Sequence, residues 1–162
     1  MPSFRVGLGY DVHPFAADGE GLDGAPLVLA GVTLEGPGLA GHSDADAVAH
    51  AVADALLGPA GLPDLGTLFP ASDERHRNAS SLELLREVCA RVTASGWQVV
   101  NVDVVINAEQ PRLAPHIAAM TRNLVEIVQA FVSIKPKRGE GIGAVGRREG
   151  IAVWAVALLE QQ

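Results

Sequence analysis

Apolar residues recur along this chain with two different periods, and the switches between them mark out its elements. Residues 4–10 read as a strand, followed by a polar, glycine-rich loop, "AADGEGLDGA". "PLVLAGVTLEG" predicts two short strands around Ala30-Gly31. A helix is expected from about Asp44 to Leu57, with Ser43 as N-cap and Asp46 three residues on, a carboxylate variant of the capping box. The stretch "GPAGLPDLGTLFPASDERHRN" is loop-rich, and Ser80 to Glu83 then opens a second helix, "LELLREVCARVTAS", which Gly96 closes. In "QVVNVDVVIN" the alternation puts Val100, Val102, Val104 and Ile106 on one face of a strand, with Asn101, Asp103 and Asn107 on the other. From about Leu113 to Ala130, the residues Leu113, Ile117, Met120, Leu124 and Phe131 fall near helical spacing. "FVSIK" predicts a strand, "PKRGEGIGAVGRREG" a loop, and "IAVWAVALLE" a strand apolar on both faces.

No internal repeat or linker divides residues 1–162, so strands and helices mix into one α/β domain, a mixed sheet with helices on one face. A terminal strand apolar on both faces needs two covers. Helices supply one, and a neighbouring subunit is the natural candidate for the other.

Composition narrows the partners. Hydrophobic residues make up 48% and charged residues 19%, a globular balance. The net charge of −7, without a basic run, disfavours nucleic acid or an anionic membrane as partner. A small phosphorylated ligand stays compatible, because metal ions and backbone N–H groups neutralise phosphates locally. No secretory signal is read at the start, and the longest apolar run, residues 151–159, is too short for a membrane helix; a cytoplasmic location is expected. Cys89 is the single cysteine, so neither an internal disulfide nor a thiolate zinc knuckle is available, and its mid-helix position predicts core packing.

The candidate chemistry begins in "GLGYDVHPF". If the extended conformation persists past residue 10, Gly7, Gly9, Asp11 and His13 share a face, with the glycines leaving room for something large. In "GHSDADAVAHAVADALLG", Asp46, His50 and Asp54 are spaced i, i+4, i+8 along one helical stripe. Val48, Val52, Ala45, Ala49 and Leu56 take the opposite, core-facing arc. A histidine between two carboxylates suits a metal ligand, since a carboxylate can hold the second ring N–H; a solvated charged stripe is the alternative. Asp11, His13 and His50 together form a one-oxygen, two-nitrogen set that suits zinc or a similar divalent ion with one position open. His42 and Ser43 at the helix N-terminus would favour an anion. Metal and anion together point to phosphate.

The blocks "RVGLGYDVHPF", "AGHSDADAVAHAVADALLG", "LPDLGTLFP", "NVDVVINAEQPRLAPHI" and "GRREGIAVWAVALL" closely resemble, in order, the 2-C-methyl-D-erythritol 2,4-cyclodiphosphate synthase family of the non-mevalonate isoprenoid pathway. The resemblance covers residues 5 to about 159. It implies a homotrimer whose sheets pack around a threefold axis, with active sites between subunits. It implies that the 2-phosphate of 4-diphosphocytidyl-2-C-methyl-D-erythritol 2-phosphate attacks the β-phosphorus, releasing CMP and forming the cyclic diphosphate. Asp11, His13 and His50 would hold zinc, and Glu140 a second ion, magnesium or manganese. His42 and Ser43 would contact phosphate, with His42 stabilising the transition state. Asp64, Leu65 and Gly66 would line the methylerythritol pocket, with Phe69 to Asp73 as its lid. Ala108, Pro111, Arg112 and Leu113 would surround the cytosine of a neighbouring site. Arg147 and Glu149 would lie near the threefold axis, where family members can enclose an apolar cavity able to hold an isoprenoid diphosphate.

Two stretches depart from that pattern. Lys137, Arg138 and Gly139 stand where the family has threonines, so Lys137 or Arg138 is expected to meet the nucleotide phosphates, with Arg138 in a catalytic role; a solvated basic loop is the alternative. Ala71 stands where an acid is usual, while Asp73 retains the second one. Asp44, Glu74, Arg75, His76 and Arg77 read as solvated charges, and His116 as a packing residue. A metal-dependent phosphoesterase and a non-catalytic module with a structural metal are the competing functions.

Overall fold

The computed structural model describes residues 3–16, 25–41, 43–73 and 79–162. Strand β1 (Phe4–Pro14) is longer than the expected 4–10 and stays extended through Asp11 and His13. Strands β2 (Pro26–Leu29) and β3 (Val32–Pro37) form the expected hairpin, a two-stranded sheet of its own. Helix α1 (Ala47–Ala60), the short helix α2 (Leu65–Leu68) and helix α3 (Ser81–Ala94) lead to strand β4 (Trp97–Asn107). Helix α4 (Ile117–Val128), strand β5 (Phe131–Lys137), the helical turn α5 (Gly143–Gly146) and strand β6 (Gly150–Gln161) complete the chain. The main sheet runs β1-β6-β4-β5. Only the β4–β5 pair is parallel, and α4 provides the crossover that parallel neighbours require.

Several boundaries differ from the sequence expectation, each for a physical reason. Helix α1 starts at Ala47, not Asp44, and its N-cap is Asp46 rather than Ser43. The Asp46 carboxylate accepts from Val48 N and Ala49 N, both at 3.1 Å. It also accepts from Ala30 N at 2.8 Å and Gly31 N at 2.7 Å, fastening the β2–β3 turn to the helix. Asp46 is fully buried; burial pushes its pKa up, against the pull of those N–H groups. Ser80 occupies the N-cap position of α3 but makes no side-chain cap bond, and Glu83 pairs with Arg86 instead of closing a box. Val100 does not share the core face of Val102, because a bulge between Val99 and Asn101 leaves it out of register and exposed. Helix α4 is confined to residues 117–128: Pro115 sits in a 3-10 turn at Ala114–His116, and Gln129 caps the far end with φ 53°. Phe131 therefore belongs to β5 and is exposed, not part of an α4 stripe. The expected loop after Lys135 still contains the end of β5 and the turn α5.

Helix α1 is almost wholly buried between the sheet and α3. It meets β1 where the side chains vanish. A Cβ added at Gly9 would lie 1.8 Å from Ala51 O, and one at Gly7 would lie 2.0 Å from Ala55 O. The large neighbour that the glycines admit is the helix itself. Val102, Val104, Ile106, Val153, Ala155 and Ala157 fill the same interface from the sheet side.

Among the described residues nothing covers the opposite sheet face. Its rows read Val6–Leu158–Asn101–Phe131, Leu8–Val156–Asp103–Ser133 and Tyr10–Trp154–Val105–Lys135, apolar at β1 and β6 and mixed at β4 and β5. Val6 and Leu8 keep 70% and 67% of their surface exposed, an unusual state for side chains of this size in the middle of a strand. Helices on one face only is thus the observed layering, and β6 buries one of its two apolar faces within the chain.

Candidate active site

Because β1 remains extended, Asp11 and His13 point to the helix side at its C-terminal end. Helix α1 delivers His50 from its first turn. Asp11 Oδ2 lies 3.0 Å from His13 Nε2 and 3.2 Å from His50 Nδ1, and the two ring nitrogens are 3.4 Å apart. The neighbours fix which nitrogen faces inward. His13 Nδ1 lies 2.7 Å from the carbonyl of Ala40, which can only accept, so Nδ1 carries the hydrogen and Nε2 presents its lone pair. On His50, Nε2 meets Ser81 Oγ at 2.9 Å and Ser43 Oγ at 3.3 Å. Ser81 gives its own hydrogen to the Asp44 carboxylate, so it accepts from His50 and leaves Nδ1 free to act as a ligand.

Three acceptor atoms thus converge. Without a cation they repel, and only a proton or a metal resolves the conflict. A tetrahedral zinc with ligands at about 2.1 Å would separate its donors by roughly 3.4 Å, close to the observed 3.0–3.4 Å triangle. The donor set therefore fits a divalent ion, and these three residues are the one such group among the described residues. Burial alone would raise the Asp11 pKa, but when protons rather than a metal resolve the conflict, hydrogen bonds and positive charge from His13 and His50 hold it down, to about 2. Burial disfavours a charged His13, yet Asp11 outweighs it and raises the His13 pKa.

The stripe of carboxylates expected to flank His50 does other work. Asp46 caps the helix, as described above, and Asp54 accepts from Leu65 N at 2.8 Å. The second ring N–H of His50 goes to serine hydroxyls, not to a carboxylate. Asp44 is likewise no solvated charge: it accepts from both Ser81 N, at 3.1 Å, and Ser81 Oγ. Ala40 and Ser81 are the participants that sequence reasoning missed, while Asp44 and Asp54 take partners other than those their positions suggested. Asp44 reads as a solvated charge, Ser81 carries no motif of its own, and a backbone carbonyl such as Ala40 leaves no signal at all.

The triad opens into a cleft of about 310 Å³ lined by Ser43, Asp54, Leu65, Gly66, Phe69 and Leu84, with Ala71 at its side. Leu65, Gly66 and Phe69 thus border the same cleft as the triad. Asp64 caps α2 through Thr67 N at 2.8 Å and does not line the cleft; that N–H lowers its pKa. Asp73 is described but is not among the lining residues. His42 and residues 74–78 lie outside the described residues.

A second cleft of about 510 Å³ gathers Glu109, Arg112, Ala114, Pro136, Lys137, Arg138 and Glu140. Arg138 pairs with Glu109 at 2.5 Å, and Glu109 also accepts from Gly139 N at 3.1 Å. Glu140 sits in the left-handed region at φ 52°. Ala108 and Leu113 are buried in the core, and the Gln110–Pro111 peptide is cis. Arg147 pairs with Glu149 at 2.6 Å, both exposed. His116 is half-buried, and Cys89 is half-buried with its thiol pKa pushed by burial up to about 11. Asp11 and Pro136 end one row across the sheet, Asp11–Val153–Ile106–Pro136, so three strand spacings, about 14 Å, separate the two clefts' strands. Within one chain the metal-type triad and the Lys137–Glu140 group do not meet.

Fold and site together define an α/β protein in which a three-residue group able to hold a metal ion opens into a cleft. The chain belongs to the YgbB family, whose model matches residues 4–160. It is 50% identical to a 2-C-methyl-D-erythritol 2,4-cyclodiphosphate synthase of Bordetella avium, over 98% of this chain and 97% of that one. It is also 50% identical to the synthase of the same name from Rubrobacter xylanophilus, over 99% and 98% of the two chains. Among solved structures, the bifunctional IspDF of Campylobacter jejuni superposes with a TM-score of 0.91 at 36% identity, covering 100% of this chain and 43% of that one. The Plasmodium falciparum IspF in its CDP complex superposes with a TM-score of 0.82 at 28% identity, covering 99% and 97%.

Proposed function

We propose that this chain cyclises 4-diphosphocytidyl-2-C-methyl-D-erythritol 2-phosphate to 2-C-methyl-D-erythritol 2,4-cyclodiphosphate and releases CMP. The observation that carries the proposal is the convergence of Asp11, His13 and His50, lone pairs inward, beside the Leu65–Gly66–Phe69 cleft, in a chain half identical to synthases named for this product.

The 2-phosphate oxygen forms a bond to the β-phosphorus while the bond to the α-phosphate oxygen breaks, and CMP leaves with that electron pair. Nucleophile and electrophile belong to one molecule, so the protein's task is to bend the substrate into line and offset charge. Zinc or a similar divalent ion held by Asp11, His13 and His50 would supply Lewis-acid polarisation of the β-phosphate. Asp11 and the two imidazoles would fix the position of that ion, and Ser43 and His42 would contact the neighbouring phosphate. Leu65 and Gly66 would close around the methylerythritol carbons, with Asp64 holding that turn through its cap on α2, and Phe69 to Asp73 would exclude water. Glu140 is the candidate holder of a second ion, magnesium or manganese, which would offset diphosphate charge. Lys137 and Arg138 supply cationic charge where the family has threonines, with Arg138 stabilising the transition state once it leaves Glu109. Ala108, Pro111, Arg112 and Leu113 would frame the cytosine.

These groups occupy opposite edges of one sheet, so a complete site calls for two copies. The exposed apolar strip along β1 and β6 gives a second copy a surface to cover. A homotrimer packed around a threefold axis, with each metal cleft facing a neighbour's Lys137–Glu140 cleft, satisfies both demands. Arg147 and Glu149 would then lie near the axis, where an apolar cavity could take an isoprenoid diphosphate. A cytoplasmic location fits a soluble, water-dissolved substrate.

Incubating the protein with the diphosphocytidyl substrate, zinc and magnesium, followed by phosphorus NMR, tests the reaction. The cyclic diphosphate and CMP are the expected products. A linear phosphate would mean that water attacks instead and would replace this reaction with phosphoester hydrolysis.

A further inference from the structure

The second ring nitrogen of His50 begins a hydrogen-bond chain that none of the functions above requires. His50 Nε2 donates to Ser81 Oγ at 2.9 Å, and Ser81 Oγ–H donates to Asp44 Oδ1. Asp44 Oδ2 accepts from Ser81 N at 3.1 Å, and Asp44 Oδ1 from Asp46 N at 3.3 Å. Ser43 Oγ leans on the same chain, 3.2 Å from Ser81 Oγ and 3.3 Å from His50 Nε2. Ser81 is almost fully buried, so water cannot substitute for its hydroxyl.

The two histidines of the triad are oriented by different means. His13 is held by a backbone carbonyl, which no side-chain substitution removes. His50 depends on side chains from two other elements, the 43–46 turn and the first residue of α3. We infer that Ser81 and Asp44 form a positioning relay that fixes His50 in its Nε2–H tautomer and strengthens Nδ1 as a metal donor. Donation to a hydroxyl that is itself bonded to a carboxylate polarises the ring more than a lone hydroxyl would. The relay also ties the N-terminus of α3 to the metal-type cleft, through Ser81 rather than the N-cap Ser80. The inference rests on the metal-centre part of the proposed function, though its tautomer component stands without any metal.

The test compares wild type with Ser81→Ala, Ser81→Thr and Asp44→Asn. Long-range ¹H–¹⁵N spectra of the metal-free proteins read the His50 tautomer, and chelator competition with zinc alone reads affinity. Wild type and Ser81→Thr are expected to show a single Nε2–H tautomer. Ser81→Ala is expected to show a mixed population and a zinc Kd raised about 10–100-fold. Asp44→Asn keeps the hydroxyl but loses the charge, and its Kd should rise less than that of Ser81→Ala. A folded Ser81→Ala protein with an unchanged tautomer and a Kd within about twofold of wild type overturns the relay. Should Ser81→Ala fail to fold, Asp44→Asn decides: a tautomer and Kd both unchanged overturn the charge component. Wild type that binds zinc but forms no cyclic product would remove the proposed reaction and leave the relay standing.

Discussion

Asp11 is the residue on which the cluster turns, because it is the shared partner of both imidazoles. Removing its charge should therefore do more than delete one ligand. Chelation of the metal is expected to lower cyclisation by about 10³-fold or more, recovered on adding zinc back, since Lewis-acid stabilisation supplies several kcal/mol; turnover that survives dialysis against chelator would exclude a catalytic ion. The pH behaviour of metal-free protein follows from the same three groups. Asp11 has its pKa lowered from 3.8 to about 2, so its stabilisation is fully present above about 4 and is lost as pH falls towards 2. That contribution is about 2 kcal/mol. His13 has its pKa raised from 6.5, so its share is present below 6.5 and disappears as pH climbs through the raised value. Metal-free protein should thus draw most from the cluster between about pH 4 and 6.5, and Asp11→Asn should flatten that part of a melting-temperature profile. Zinc competes with the His13 proton, so apparent zinc affinity should weaken as pH drops below the raised His13 value.

Elements meet here through backbone contact more than through interlocking side chains. Gly9 lies against the Ala51 carbonyl, and any side chain there must push α1 off β1. Gly9→Ala should cost about 3 kcal/mol and lower the melting temperature by roughly 6–12 °C. Gly58, exposed on the same helix with open space around its would-be Cβ, makes the contrast: Gly58→Ala should stabilise by about 0.5–1 kcal/mol. Equal responses from the two glycines would show that close approach is not what the strand needs. The Gly9 change carries a functional consequence too, because the α1–β1 contact sets the distance from His50 to Asp11. Asp46 acts at this scale as well. Its carboxylate serves both the helix start and the β2–β3 turn, so Asp46→Ala should cost about 3 kcal/mol or more by orphaning buried N–H groups. Calorimetry reads that loss directly.

The whole molecule presents one finished face and one unfinished face. Val6, Leu8, Tyr10 and Trp154 stand in the open along β1 and β6, and burying them against another copy would stabilise an assembly at roughly 25 cal/mol per Å². Sedimentation of the proposed trimer should give three times the chain mass of 16.8 kDa. Leu8→Glu should reduce it to monomers and abolish turnover while leaving zinc affinity in place, since the metal ligands all come from one chain. A monomeric wild type with full activity would remove the intersubunit site.

Short-range order was legible in the letters alone. The alternation of β4, the hairpin around Ala30-Gly31, the apolar arc of α1 and the D-x-H of β1 all express local periods that backbone geometry imposes, and the three metal-type ligands came from motif spacing. Whatever depended on a distant partner was not legible. Asp46 rather than Ser43 caps α1 because a turn sixteen residues earlier offers it two more N–H groups. Val100 leaves its expected face because β6 sets the register across a bulge. Asp44 and Ser81 acquire meaning only when α3 packs beside His50. Periodicity determines which face of an element is apolar, but hydrogen-bond partners, tautomers and the closeness of α1 to β1 are decided by what the folded chain brings within about 3 Å.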